Sequence, residues 1–232
     1  MENNKGGMSA EMKGDAKVMS AANRIIALIS ILATLGAAVY FFAFADDPRR
    51  GMYGALSVLI FIVPDFLDLV FHVRFSNSII TVFFCFCFFA VVLGTSWNLY
   101  TYLSWYDRAM HSIFGYIGCV AGLVVVCRLS DYRSLRPTFI IFVCFSVSLM
   151  CGAVWEIYEF LCDTYLGADA QGVPVETAAG GSVVPVVDTM QDIICNFCGA
   201  VVFVIHYIIH AATGKDLLIG RMKEDFSSVL LK

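Results

Sequence analysis

Ionisable side chains interrupt three otherwise apolar stretches of this chain, in groups that could bind a cation or transfer protons. WYDRAMH carries Asp107 and His111, and WEIYEF carries Glu156 and Glu159. The third stretch, DTMQDIICNFCGA, carries Asp188, Asp192, Asn196 and Gly199. Carboxylates are suitable ligands for Mg²⁺, Ca²⁺ or Mn²⁺, and an imidazole can add a nitrogen ligand or act as a general base. Because charged groups are costly in a bilayer, such residues mark a functional site by default.

The spacing of these residues places them on shared helix faces. Asp107 and His111 are four residues apart, so they lie on one face and differ in depth by about 6 Å. Gly115, Gly118 and Gly122 continue roughly the same face, and small residues let another helix approach closely. We therefore expect the three faces to converge and to gather five carboxylates, an imidazole and an amide.

Five carboxylates cannot all stay ionised in a low-dielectric site without a compensating cation. Because Arg108 can offset only one charge, the sequence predicts either protonated carboxylates or a bound divalent cation: Mg²⁺, Ca²⁺ or Mn²⁺. The predicted catalytic acid/base pair is Asp107 with His111. The predicted metal ligands are Glu156, Glu159, Asp188 and Asp192, and the other polar positions are Arg108, Asn196 and Gly199.

A structural interpretation of the same residues also remains open. Asp107 and Asp188 could cap their helices, and the two glutamates could extend to the membrane interface. Asp192 and Asn196 lie about one and two turns further in, which is too deep for a capping role. The three groups taken together therefore favour a site.

The composition is that of a polytopic membrane protein, because 59% of the 232 residues are hydrophobic. Each of six apolar segments can cross a hydrocarbon core of roughly 30 Å, which needs about 20 helical residues. The segments span about 24–45, 52–72, 77–98, 105–127, 137–162 and 187–210. The predicted fold class is an all-α membrane protein with a six-transmembrane-helix bundle over residues 23–211. Residues 1–22 are predicted to form a disordered cytoplasmic tail, and residues 212–232 a cytoplasmic C-terminal tail.

The distribution of Lys and Arg predicts the orientation of the chain in the plasma (inner) membrane. With both termini in the cytoplasm, 12 of the 15 basic residues lie on the cytoplasmic side. Arg49, Arg50 and Arg108 remain outside, and the segment 163–187 contains neither Lys nor Arg. This topology puts the three polar groups at the outer ends of their helices.

At these residues the chain resembles the YjdF-like family of bacterial inner-membrane proteins. The resemblance runs from about Leu59 to Ala200 and includes WYDRAMH, the ExxE of WEIYEF and the DTxxDxxxNxxGA pattern. VanZ-like proteins, linked to glycopeptide resistance, are more distantly similar: an Asp-basic pair precedes a His, a Glu, and a closing Asp and Asn before Gly. Thr95, Val186 and Val187 stand where the YjdF-like family usually has acidic residues. The resemblance implies a membrane bundle with a polar site in the outer leaflet, and it implies no particular reaction.

Three classes of function remain open from the sequence. A metal-assisted hydrolase or transferase would act on an envelope or lipid-linked molecule at the acidic groups. A cation transporter or channel would bind the passing ion there, although chiefly apolar residues beneath Asn196 argue against a polar route. A non-catalytic, VanZ-like binder would alter the access of antibiotics or lipids. Membrane lipids or lipid-linked envelope molecules are the expected partners, and the chain has no basic face for nucleic acid.

Overall fold

The structure is a computed structural model that describes residues 19–45, 47–71, 75–166, 170–171, 186–215 and 218–228. Within these ranges every regular element is helical, and six helices are long and apolar enough to cross a membrane. The spans are Ala21–Ala43, Arg50–Val70, Asn77–Ser96, Tyr106–Leu129, Pro137–Tyr165 and Val186–Thr213. The predicted all-α, six-span fold is therefore confirmed. The proposed tail at residues 1–22 lies largely outside the described residues and stays a prediction.

The chain divides into two compact units, of which the first comprises Met1–Leu103 and Ser228–Lys232. Its described α-helices are α1 (Ala21–Ala43), α2 (Pro48–Ser57), α3 (Val63–Phe71), α4 (Asn77–Cys87) and α5 (Leu99–Tyr102). A 3₁₀ segment at Val58–Ile62 precedes α3, and a π-helical segment at Phe88–Ser96 follows α4. Pro64 accounts for the break before α3, because proline has no N–H to continue the hydrogen bonding of the preceding helix.

The second unit, Ser104–Ser227, contains all three polar groups. Its helices are α6 (Tyr106–Leu129), α7 (Pro137–Leu166), α8 (Val186–Thr213) and α9 (Ile219–Ser228). Helix α6 packs against both α7 and α8, and α7 and α8 also contact each other. The candidate site therefore depends on how these three helices meet.

Glycines on α6 allow its close contacts with α7 and α8. A Cβ at Gly115 would overlap the backbone of Asn196 on α8. A Cβ at Gly122 would lie 2.6 Å from the Cα of Cys144 on α7. The Ser148 hydroxyl on α7 donates a hydrogen bond to the Gly115 carbonyl at 2.8 Å. The glycine face of α6 is thus where the neighbouring helices approach, as small residues at such spacing permit.

The short helix α9 packs against the end of this unit that lies away from the three polar groups. Ile219 and Phe226 are buried. The Nε of Arg128, near the end of α6, donates a hydrogen bond to the Phe226 carbonyl at 3.1 Å. The ammonium of Lys223 lies 4.4 Å from the ring centroid of Tyr207 on α8. The sequence predicts a C-terminal tail over residues 212–232, and the helix within it was not predicted.

Candidate functional site

Asp107 and His111 lie in the first two turns of α6. Asp107 belongs to the first turn and its side chain is 29% exposed, whereas His111 is buried. The Nε2 of His111 lies 3.6 Å from Oδ1 of Asp107. Residues four apart on a helix are neighbours on its surface, which accounts for this proximity.

Helix α8 contributes Asp192 and Asn196, both only 1% exposed. Gly199 lies further along α8, where a Cβ would overlap the backbone carbonyl of Ser112 on α6. Because Gly199 has no side chain, the backbones of α8 and α6 approach closely here, and Asp192 comes near the acidic end of α6. One carboxylate oxygen of Asp192 lies within 4.8 Å of ligand atoms of both Asp107 and His111.

Helix α7 brings Glu156 to the same place. Its carboxylate is buried, and Oε1 lies 3.8 Å from Nε2 of His111. Gly152 lies one turn earlier on α7 and faces the side-chain amide of Asn196. We refer to the group formed by Asp107, His111, Glu156 and Asp192 as the acidic–histidine cluster.

The buried oxygens of this region are short of hydrogen-bond donors. Both carboxylate oxygens of Glu156, both of Asp192 and the Oδ1 of Asn196 accept no hydrogen bond from the residues that the structure describes. Most buried polar atoms in folded proteins have a partner, so such atoms require an explanation. A cation or a polar ligand at the cluster would supply one.

Three other predicted site residues lie around the cluster. Glu159 accepts a hydrogen bond from Nε1 of Trp155 at 2.8 Å. Asp188 lies in the first turn of α8 and is partly exposed, and Arg108 is exposed on α6. Among the described residues, neither Glu159 nor Asp188 belongs to the set of converging ligand atoms. Their roles as metal ligands stay predictions.

A polar network near the end of α7 was missed by the sequence analysis. The Asp163 carboxylate accepts hydrogen bonds from the backbone N–H groups of Ala170 and Gln171, at 2.7 and 2.9 Å. The buried Gln171 side chain donates a hydrogen bond to Oγ1 of Thr189 at 2.9 Å. Thr189 precedes Asp192 by three residues, so the network adjoins the cluster through α8. No helical periodicity marks residues 170 and 171, and the sequence therefore gave no signal for these contacts.

The arrangement of donors suits a small divalent cation. With metal–ligand distances of about 2.0 to 2.6 Å, ligands on opposite sides of an ion are roughly 4 to 5 Å apart. The ligand atoms of Asp107, His111 and Asp192 all lie within 4.8 Å of one another. Glu156 lies outside this set, but its Oε1 is 3.8 Å from Nε2 of His111, so a shift of its side chain could make it a fourth ligand. An octahedral ion would then keep positions open for water or substrate.

The helices and the cluster define the class of this protein: it is an α-helical, multi-pass membrane protein with ionisable side chains buried between its helices. The model of the family described as "Predicted membrane protein (DUF2238)" matches residues 26–212, so the chain belongs to that family. The YjdF-like resemblance is to this same family, whereas the resemblance to VanZ-like proteins stays a prediction. Comparisons with curated proteins and with solved structures gave no match.

Proposed function

We propose that this plasma-membrane protein binds a divalent cation between α6, α7 and α8 and acts on an envelope or lipid-linked molecule at the outer leaflet. The supporting observation is that ligand atoms of Asp107, His111 and Asp192 converge within 4.8 Å of one another. The Glu156 carboxylate lies a further 3.8 Å from His111. The outward orientation, with cytoplasmic termini, rests on the distribution of Lys and Arg along the sequence.

The lack of hydrogen bonds at the buried carboxylates supports a bound cation. Both oxygens of Glu156 and of Asp192 are buried without a hydrogen bond from the described residues. Leaving a buried acceptor unsatisfied costs about 1 to 3 kcal/mol, and more for a charged group. A divalent cation would satisfy these oxygens and offset two negative charges. The buried carboxylates that destabilise the folded protein without the ion would therefore favour binding of the ion.

The histidine narrows the choice of cation. Mg²⁺ and Ca²⁺ prefer sites made wholly of oxygen ligands. Mn²⁺ suits carboxylates and, as a transition metal, also binds imidazole nitrogen. With one nitrogen from His111 and the remaining ligands from carboxylates, the cluster favours Mn²⁺ among the three ions expected from the sequence.

The cluster supports a metal-assisted hydrolase or transferase. A bound cation would polarise a carbonyl or phosphoryl oxygen, or activate a water molecule as nucleophile. Asp107 is the partly exposed member, so a substrate would reach the cluster from its side. The Nε2 of His111 lies 3.6 Å from Asp107 and 3.8 Å from Glu156, and once it binds the cation it is no longer available as a base. Proton transfer would then fall to Asp107, because a carboxylate that gives one oxygen to the cation keeps a second. A non-catalytic binder would need the same residues but would turn over no substrate.

The packing beneath the cluster argues against a transport path. Ala200 and Phe203 on α8 are fully buried. Cβ atoms at Gly115 and Gly199 would overlap the backbone of the opposing helix, so no open space separates α6 from α8 there. An ion crossing the membrane needs polar groups and water along its route. The packing therefore favours an enzyme over a transporter.

Thermal unfolding of the purified protein in detergent tests the proposal. Millimolar Mn²⁺ should raise the melting temperature relative to EDTA, and Mg²⁺ and Ca²⁺ should do so less. A ligand at 100 times its Kd stabilises the folded state by about 2.7 kcal/mol. Asp192→Asn should remove most of this gain. Asp131→Asn is the matched control and should retain it, because Asp131 lies in the exposed loop between α6 and α7 and is not among the predicted site residues.

Two results would overturn the proposal. An unchanged melting temperature in EDTA and in millimolar Mn²⁺, Mg²⁺ or Ca²⁺ would exclude a stabilising cation. Protonated carboxylates beside Arg108 and His111 would then be the better account. An equal loss of the gain in the Asp192 and Asp131 variants would show that the gain does not depend on the cluster.

A further inference from the structure

Arg108 is the one basic side chain of the second unit near the acidic–histidine cluster. No other Lys or Arg occurs between Ser104 and Cys127, and the segment 163–187 contains none. Arg108 is exposed and lies within electrostatic range of Asp107 and Asp192. It nevertheless forms no ion pair with any carboxylate that the structure describes.

The position of Arg108 on α6 explains why it does not pair with its neighbour. Asp107 and Arg108 are adjacent in sequence, and adjacent residues on a helix point about 100° apart. A guanidinium near carboxylates commonly forms a bidentate pair with one of them, because charge-assisted hydrogen bonds are strong. Here the guanidinium stays exposed beside Asp107, the partly exposed member of the cluster. Because the two residues are adjacent on α6 and both are accessible, a ligand that approaches Asp107 can also contact the Arg108 guanidinium.

We infer that Arg108 and the cation of the proposed function together bind the phosphate of a lipid headgroup, an inference that rests on that function. One phosphate oxygen occupies an open coordination position of the cation. The remaining oxygens accept hydrogen bonds from the Arg108 guanidinium, whose planar set of donors matches phosphate in geometry.

Charge favours a phosphodiester with one negative charge over free phosphate. The cation offsets two of the three carboxylates in the cluster, and Arg108 offsets the third, so a monoanion meets a nearly neutral centre. The carboxylates of Asp188 and Glu159 also lie within electrostatic range of Asp107. Because Coulomb repulsion scales with charge, they oppose a phosphate dianion more strongly than a diester.

Apolar side chains beside the cluster favour a lipid as the source of the phosphate. Phe160 and Leu161 on α7 are exposed, as are Met190 and Ile194 on α8. In a bilayer these surfaces contact hydrocarbon, so the acyl chains of a bound lipid can stay in the membrane while its headgroup reaches Arg108. Free phosphate makes no such contacts, and we expect it to bind more weakly.

Paramagnetic broadening of ³¹P resonances tests this inference, because Mn²⁺ broadens only phosphorus nuclei close to it. The full-length protein is loaded with Mn²⁺ in a phosphate-free detergent, and excess ion is removed. Mn²⁺ binding is first measured by electron paramagnetic resonance. Short-chain phosphatidylglycerol and inorganic phosphate are then titrated separately, with Ca²⁺-loaded protein as the diamagnetic reference. The variants are Arg108→Gln and, as a matched control in the loop between α6 and α7, Arg136→Gln.

We expect saturable broadening by phosphatidylglycerol, at lower concentration than by inorganic phosphate. Arg108→Gln should weaken lipid binding about tenfold or more, as loss of charge-assisted hydrogen bonds predicts, with Mn²⁺ still bound. Arg136→Gln should change nothing. Mn²⁺ binding without ³¹P broadening, or equal broadening in the two variants, overturns this inference alone. Tighter binding of inorganic phosphate overturns the lipid assignment. Absence of Mn²⁺ binding to the wild-type protein overturns this inference, and absence of Mg²⁺ and Ca²⁺ binding as well overturns the proposed function.

Discussion

Gly152 on α7 faces Asn196 on α8 so closely that a Cβ at Gly152 would lie 2.5 Å from the Asn196 Nδ2. That Nδ2 donates a hydrogen bond to the Ser148 carbonyl at 3.3 Å, while Oδ1 accepts none from the described residues. Asn196 lies about one turn deeper than Asp192 on the same helix. The shape of the site beneath the carboxylates therefore depends on a glycine of the neighbouring helix.

Gly115→Ala should lower the free energy of unfolding more than Gly152→Ala. The new Cβ at Gly115 overlaps the backbone carbonyl of Asn196, which cannot move without shifting α8, whereas the Cβ at Gly152 meets a side-chain amide that can rotate. Overpacking of this kind costs about 1 to 3 kcal/mol. Gly36→Ala is the control, since a Cβ there has no neighbouring atom within 4 Å. Equilibrium unfolding in detergent measures all three, and equal destabilisation would contradict the packing described.

Asp192→Asn should weaken Mn²⁺ binding much more than Asp188→Asn. Asp192 is 1% exposed and belongs to the converging ligand atoms, so its loss removes a direct ligand. Asp188 lies in the first turn of α8, where water and backbone N–H groups can satisfy a carboxylate. We expect about a tenfold or greater loss of affinity for the first variant. Calorimetric titration of Mn²⁺ into both variants measures which loses more affinity. A larger loss in Asp188→Asn would mean that the ion binds nearer the end of α8.

The parts of this structure that depend on local sequence were predictable. Long apolar segments predict spanning helices, because each must satisfy its own backbone hydrogen bonds in lipid. The spacing of Asp107 and His111 places them side by side on any helix. Asp192 and Asn196 could be placed inside the membrane because they lie beyond the reach of a helix cap.

Contacts between distant segments could not be predicted in the same way. The convergence of Asp107, His111 and Asp192 joins α6 and α8, which are remote in sequence, and it depends on the close approach of their backbones. Glu159 stays a predicted ligand, and one of its carboxylate oxygens accepts a hydrogen bond from Trp155, four residues earlier. The spacing of Trp155 and Glu159 is visible in the sequence, but whether the Glu159 carboxylate turns toward Trp155 or toward the cluster depends on packing. The burial of α9 likewise depends on Arg128 and Tyr207, which are remote from it in sequence.

The orientation of the chain makes a separate prediction that cysteine labelling tests. In a background without other reactive cysteines, a membrane-impermeant maleimide should label Ser182→Cys in intact cells. Ser134→Cys, in the loop between α6 and α7, should be labelled only after permeabilisation. The reason is that Lys and Arg accumulate on the cytoplasmic side, and 12 of the 15 lie there in this topology. Labelling with the opposite pattern would reverse the orientation and place the cluster toward the cytoplasm.

Asp163→Ala should release residues 170 and 171 from the end of α7. The Asp163 carboxylate accepts hydrogen bonds from the backbone N–H groups of both residues, and bonds to a charged group contribute about 1.5 to 3 kcal/mol each. We therefore expect amide hydrogen exchange of a peptide covering these residues to speed up at least about tenfold. Asp131→Ala is the control, because the Asp131 carboxylate accepts a longer hydrogen bond, of 3.3 Å, from the Arg133 N–H in an exposed loop.

The same variant tests whether this polar network supports the cluster. Gln171 donates a hydrogen bond to Thr189, which precedes Asp192 by three residues on α8. If the network holds the start of α8 in place, Asp163→Ala should speed dissociation of Mn²⁺ as well as amide exchange, because one ligand helix is less well fixed. Gln171→Ala should also speed dissociation of Mn²⁺, although the Asp163 carboxylate can still accept its two backbone hydrogen bonds. Faster exchange with unchanged Mn²⁺ dissociation in both variants would show that the network holds residues 170 and 171 without positioning the ligands.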